Sequence, residues 1–175
     1  MAAGQALAVA DIAQAILDAV VAHFNAASGC TLPDRRIIAP GNPRLISWDC
    51  PQVVVALSGI GLGAAPGQGG TPQRTSNPVS AIGGLRHAVF EVQMVRCVPE
   101  SRDGTTPPDA TEVTTAGLAL MRDAGLMTQA LLEVCSTGAL KRHGTAQAGA
   151  VELLGPEGGM AAVGGSLAIT AGSLA

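Results

Sequence analysis

The stretch 85–98, LRHAVFEVQMVRCV, constrains the fold of this chain more than any other part of its sequence. Apolar residues occupy alternate positions, and only Arg96 interrupts the set near its end. Neighbouring side chains of a β-strand point to opposite faces, so this alternation predicts a long strand with one buried face and one wetter face. The rest of the chain is expected to pack against this strand or to extend the sheet beside it.

Two long helices are predicted, over 11–27 and over 110–136. Asp11 with Gln14, and Asp109 with Glu112, have the three-residue spacing of a capping box, which marks a helix start. In the second helix, apolar or small residues recur at steps of four and three, which predicts one buried face. These residues are Val113, Gly117, Leu120, Ala124, Met127, Leu131 and Val134. Gly117 and Gly125 are expected where this helix lies close to the sheet, and Gly138 is expected to end it.

The remaining strands are predicted from β-branched runs and turn residues. They cover 36–39, 52–57 and a closing hairpin of 147–154 with 160–172 around the turn GPEGG. Segment 63–84 is rich in glycine and proline, has almost no charge, and is expected to be a long loop joining two antiparallel strands. This order predicts a single α+β domain over 1–175, with a mainly antiparallel sheet of about four strands packed by two principal helices.

Composition narrows the possible functions. The chain is 47% hydrophobic and only 13% charged, with a net charge of −3. Tight binding of nucleic acid usually requires a basic surplus, which is absent here. A surface this poor in charge favours an oligomer, because soluble monomers rarely expose large apolar patches. The start of the chain lacks the basic region of a signal peptide, and no apolar run approaches the roughly 20 residues of a membrane span. A cytoplasmically made protein with no membrane association is therefore predicted.

No catalytic, cofactor or metal site is predicted. The four cysteines contain no CxxC pair and are expected to be small buried hydrophobes, although Cys50 and Cys97 would be able to bond if their strands were neighbours. The glycine-rich run 58–70 has neither the lysine of a phosphate loop nor a following helix. His23 lies at the edge of an apolar helix face, where a histidine satisfied by its neighbours is expected.

Several motifs in chain order resemble a known family. They are DIAQAILDAVVAHF, LPDRR, WDCPQVVVAL, a Gly/Pro-rich insert, EVQMVRCVP, ALLEVC and GPEGGMAAVGGSLAIT. Together they resemble the tail terminator, or neck, proteins of long-tailed phages that infect actinobacteria. The resemblance covers most of the chain, and its most specific combination is WDC before one strand and VRCVP at the end of another.

The resemblance implies a structural virion protein of the neck and tail, assembled in the host cytoplasm. Six subunits would form a ring that ends the tail tube, contacts the tail tube protein and the head connector or stopper, and lets DNA pass through its lumen. Segment 63–84 is the hypothesised partner-facing loop, whose deletion would block tail completion without unfolding the protein. Arg35, Arg36, Arg74 and Arg86 are candidates to face neighbouring subunits or DNA.

Two alternatives stay open at this point. One is another ring of the neck, such as a stopper or head-tail connector, which shares small α/β subunits. The other, from a different class, is a small thiol-dependent enzyme. Such an enzyme would need an exposed cysteine with a lowered pKa.

Overall fold

A computed structural model describes residues 9–27, 29–41, 50–62, 86–101 and 103–171. The helices are α1 (Val9–Ala26), α2 (Ala110–Ser136) and the short α3 (Gly138–Lys141). The strands are β1 (Arg35–Pro40), β2 (Gln52–Leu62), β3 (Arg86–Cys97), β4 (Thr145–Glu157) and β5 (Met160–Ala171). The long Gly/Pro-rich segment predicted over 63–84 lies outside the described residues.

The five strands form one sheet in the order β1-β2-β3-β5-β4. β1 runs parallel to β2, and the other three pairings are antiparallel. The predicted α+β class with a mainly antiparallel sheet is confirmed, with five strands where about four were expected. β3 lies at the centre of the sheet, and Phe90 is opposite Leu57 on one side and Leu167 on the other. The buried face predicted from its alternation is confirmed, but the predicted wetter face is wrong at its end, where Gln93 and Val95 are buried.

One face of the sheet carries the core. Alternate residues of β3 (Ala88, Phe90, Val92 and Met94) are fully buried there with side chains of α1 and α2. From α1 these are Ile12, Ile16, Val20 and Phe24, and from α2 they are Met127, Leu131 and Val134. We call this side of the sheet the helix face. The other side is called the open face, although Val54, Ala56, Gln93 and Val95 on it are also buried.

Of the capping box predicted at Asp109 and Glu112, the hydrogen bonds to the side chain of the N-cap residue Asp109 are confirmed. The Asp109 carboxylate accepts hydrogen bonds from the backbone N–H groups of Thr111 and Glu112, at 2.8 and 3.2 Å. The one predicted at Asp11 is wrong, because α1 already begins at Val9 and places Asp11 inside its first turn. Gln14 instead donates to Asp18, one turn further on, at 2.7 Å.

The glycine predictions for α2 are also wrong. A Cβ added at Gly117 or Gly125 would have nothing within 4 Å, so neither glycine marks a close approach. The close approach occurs at Gly165 of β5, where an added Cβ would lie 2.6 Å from Cδ1 of Leu131. α2 ends at Ser136, where the extended Thr137 donates its N–H to the Glu133 carbonyl, and Gly138 begins α3 instead of ending α2.

The Cys50–Cys97 pair is bonded. The two Cα atoms lie 5.3 Å apart, because Gln52 at the start of β2 pairs with Val95 near the end of β3. The expectation of buried, inert cysteines is wrong for this pair, since Cys97 is exposed. Cys30 and Cys135 are free and half-buried.

Candidate interaction surfaces

The first half of α2 exposes apolar side chains. Val113, predicted to be in the core, is 46% exposed, and Leu118 and Met121 are 63% and 64% exposed. The buried stripe of α2 is continuous only from Met127 onwards, since Leu120 and Ala124 are partly buried. Large exposed hydrophobic residues clustered on one element mark a contact surface more often than a freely solvated one.

An apolar groove of about 220 Å³ lies between this half of α2 and the β4–β5 hairpin. We call it the hairpin groove. Its larger lining side chains are Val113, Leu120, Met121, Leu153, Leu154 and Pro156. It is open because the hairpin presents Gly155, Ala161 and Ala162 beneath α2, and their small side chains do not fill the space. Sequence reasoning missed this groove, since its width depends on residues from two distant segments.

The open face of the sheet has a different character. A depression of about 240 Å³ is lined by Glu91, Gln93 and Glu152, with Gly164 between them on β5. Its lining contains two carboxylates and no basic side chain. Phosphate groups would be repelled by this part of the surface.

The four arginines predicted as contact residues do not form one site. Arg35 and Arg36 lie at the exposed start of β1. Arg86 is the first residue of β3, where its backbone pairs with Leu62 and Ala171. Arg35 pairs with Gln52 of β2, and Gln52 pairs with Val95 near the end of β3. Because Arg86 is at the other end of β3, Arg35 lies about 30 Å along the sheet from Arg86. Arg74 lies outside the described residues.

Arg96, which interrupts the apolar alternation of β3, has a structural partner. Its Nε and Nη2 donate to the carboxylate of Asp123 on α2, at 2.7 and 3.2 Å, and its Nη1 donates to the Thr31 carbonyl at 2.6 Å. Asp123 is fully buried. Asp123 was not predicted as a buried partner, although an acid four residues before Met127 on the buried side of α2 indicates one.

The thiols and histidines do not form a reactive cluster in the described part of the chain. Burial raises the pKa of the Cys135 thiol, outweighing a backbone hydrogen bond from Ala148 that lowers it. A raised pKa disfavours the thiolate that a nucleophile needs. His23 is satisfied as predicted, by Glu133 at 3.0 Å and Gln129 at 3.3 Å. Within the described ranges, no three His, Cys, Asp or Glu residues are grouped so as to hold a metal ion.

Among the described helices, α1 alone is long and apolar enough to cross a membrane. Its largest apolar side chains are instead fully buried in the core. Core helices of globular proteins have the same length and composition, so α1 is explained by its packing against the sheet.

Comparison with known proteins adds no assignment: no family model matches the chain, and no curated protein matches it. Function is therefore inferred from the fold, the surfaces and the motifs of this chain.

Proposed function

We propose that this protein is a tail terminator subunit of a long-tailed phage, a structural virion protein that assembles into a six-membered ring. The ring ends the tail tube, offers a docking face to the head connector or stopper, and leaves a lumen for DNA. The observation that carries the proposal is the exposed apolar surface formed by Leu118, Met121 and the hairpin groove. A surface of this kind favours a protein that works inside an assembly.

Two further features support the proposal. The motifs that resemble those of tail terminators fall on α1, β2, β3, the end of α2 and the β4–β5 hairpin, and so on most of the described elements. The open face carries Glu91 and Glu152 without a basic residue in the same depression. An acidic lumen wall would let DNA slide past without retaining it.

The test is genetic and morphological. In a phage genome that carries this gene, its disruption is expected to give tail tubes of uncontrolled length and heads without tails, as seen by electron microscopy. Tails of normal length that fail to join heads would overturn the terminator assignment and identify a stopper or connector. Normal virions would overturn a role in the neck altogether.

A matched pair of substitutions connects this test to the surface that motivates it. Met121→Glu places a charge on the exposed apolar surface, while Thr115→Glu places the same charge elsewhere on the exposed part of α2. When each variant complements the disrupted gene, Met121→Glu is expected to lower the yield of complete virions by about tenfold or more. Thr115→Glu is expected to restore it. Equal complementation by both variants would show that this surface is not used.

A further inference from the structure

We propose that neighbouring subunits meet edge to edge, with β1 of one copy lying against β4 of the next. The contact itself is argued from this chain alone, and its closure into a ring rests on the proposed function. Among the described residues, β1 and β4 form the two opposite edges of the sheet. Edge strands present unpaired backbone groups that favour pairing with another chain.

Opposite edges make this contact repeatable. When identical subunits join through two different surfaces, one copy of each surface stays free at the two ends of the assembly. Further subunits add at these ends until the ends meet and a ring closes. β1 is parallel to β2, and the three antiparallel pairings that follow give β4 the opposite direction. Subunits repeated side by side therefore bring β4 and the next β1 together as antiparallel neighbours.

The two edges carry opposite charges. β1, with the sequence RRIIAP, contains two arginines and no acid, whereas β4, TAQAGAVELLGPE, contains two glutamates and no base. Both arginines and both glutamates are exposed, and neither glutamate forms an ion pair within the described part of the chain. Complementary charges of this kind steer association and fix its register.

The two edges also carry matching apolar side chains. Ile38 of β1 and Leu153 of β4 are 42% and 53% exposed. Ile38 pairs with Val55, and Leu153 pairs with Val163. Both partners belong to the core, so Ile38 and Leu153 lie on the helix face at opposite edges. Leu153 also lines the hairpin groove, which the incoming β1 would cover.

Register follows from these positions. β4 pairs with β5 in regular register over 145–148 and over 151–154. The second segment carries Leu153 and is the part of β4 assigned to the contact with β1. With Ile38 opposite Leu153, an antiparallel alignment places Arg35 and Arg36 beside 155–157. Arg35 pairs with Gln52 and Glu157 pairs with Met160, so both lie on the open face. This alignment brings Arg35 close to Glu157 of the neighbouring copy.

Charge exchange tests this contact. Arg35→Glu and Glu157→Lys each bring like charges together, and each variant alone is expected to associate at least about tenfold more weakly than the wild type. In a one-to-one mixture of the two variants, each contact between unlike copies joins either the two changed residues or the two unchanged ones, which are opposite in charge, so attraction is restored. The double variant Arg35→Glu/Glu157→Lys restores it within a single protein. Association is measured by sedimentation velocity, with circular dichroism to confirm folding. The control variants Arg122→Glu and Asp11→Lys change exposed helix charges by the same amounts and are expected to associate normally.

The outcomes separate this contact from the proposed function. If the wild type forms rings and neither charge variant weakens them, or if mixing does not restore them, the edge contact is overturned while the terminator function stands. If the wild type stays monomeric with and without tail tubes, both are overturned.

Discussion

At the scale of single residues, the pair Arg96–Asp123 holds α2 to the sheet. Asp123 is fully buried and Arg96 is largely covered, at 18% side-chain exposure. Removing one partner leaves the other charge buried and uncompensated, which typically costs several kcal/mol. We therefore expect Asp123→Ala to lower the free energy of unfolding by about 3 kcal/mol, measured by urea denaturation.

The matched control for this prediction is Asp18→Ala, which removes an exposed carboxylate with a single local hydrogen bond to Gln14. Its effect is expected to stay within about 0.5 kcal/mol. The double variant Arg96→Met/Asp123→Ala should recover part of the lost stability, since it removes both charges. A loss below about 1 kcal/mol in Asp123→Ala would contradict the role assigned to the pair.

Asp109 makes stability depend on pH. Hydrogen bonds from the N–H groups of Glu112 and Thr111 lower the pKa of its carboxyl below the ordinary 3.8. A folded pKa below the unfolded one contributes stability above about pH 4, and this contribution is lost as pH falls through the folded pKa. Asp109→Asn replaces the carboxylate by a neutral capping group. The difference in free energy of unfolding between the wild type and this variant should therefore become smaller when the pH is lowered from 7 to 3.

Urea denaturation of both proteins at the two pH values checks this expectation. Asp103 lies outside the helix but also has a lowered pKa, because it accepts hydrogen bonds from Thr105 and Thr106. Both proteins retain Asp103, so its contribution cancels in the comparison. A difference that is the same at both pH values would contradict the capping argument.

At the scale of elements, local signals predicted the fold well. The buried face of β3 and the Asp109 cap of α2 are properties of short segments, and both are confirmed. Predictions that depended on distant contacts were wrong. A Cβ added at Gly117 or Gly125 would meet nothing within 4 Å, and Val113 lies outside the core. Which helix residue meets which strand depends on the sheet order, and that order is not encoded in any single window of sequence.

For the candidate surfaces too, features of short segments were predictable from the sequence, whereas positions that depend on strand order were not. Arg35 and Arg36 were recognised by their charge, but their position on an edge strand emerged only with the parallel β1–β2 pairing. The acidic partner edge was missed, because Glu152 and Glu157 become an edge only when β4 is placed outside β5.

Gly165 is expected to be the glycine that sets the distance between α2 and the sheet. Gly165→Ala would place a Cβ 2.6 Å from Leu131 Cδ1, and we expect it to lower the free energy of unfolding by about 1–3 kcal/mol through overpacking. Gly125→Ala is the matched control, and it should raise stability by up to about 1 kcal/mol, because that position is exposed and helical. Thermal and urea unfolding measure both effects. Destabilisation by Gly125→Ala, or none by Gly165→Ala, would contradict this packing.

At the scale of the whole molecule, the chain combines a well-packed core with surfaces that are poor in charge and locally apolar. On the helix face, large side chains such as Phe24 and Leu167 are fully buried. The first half of α2 and both sheet edges nevertheless leave large apolar side chains exposed. A subunit that completes its surface by joining copies of itself accounts for both properties. The proposed edge contact completes the surface through Ile38 and Leu153 on one face of the sheet and through Arg35 and Glu157 on the other.

The most direct test of this account is the native mass of the purified protein across a wide range of concentrations, with and without tail tubes. The account predicts a ring of about six times the 17.4 kDa subunit mass, either spontaneously or once tubes are added. A twelve-membered ring would instead indicate a head connector. A single 17.4 kDa species at every concentration, unchanged by tubes, would contradict the account.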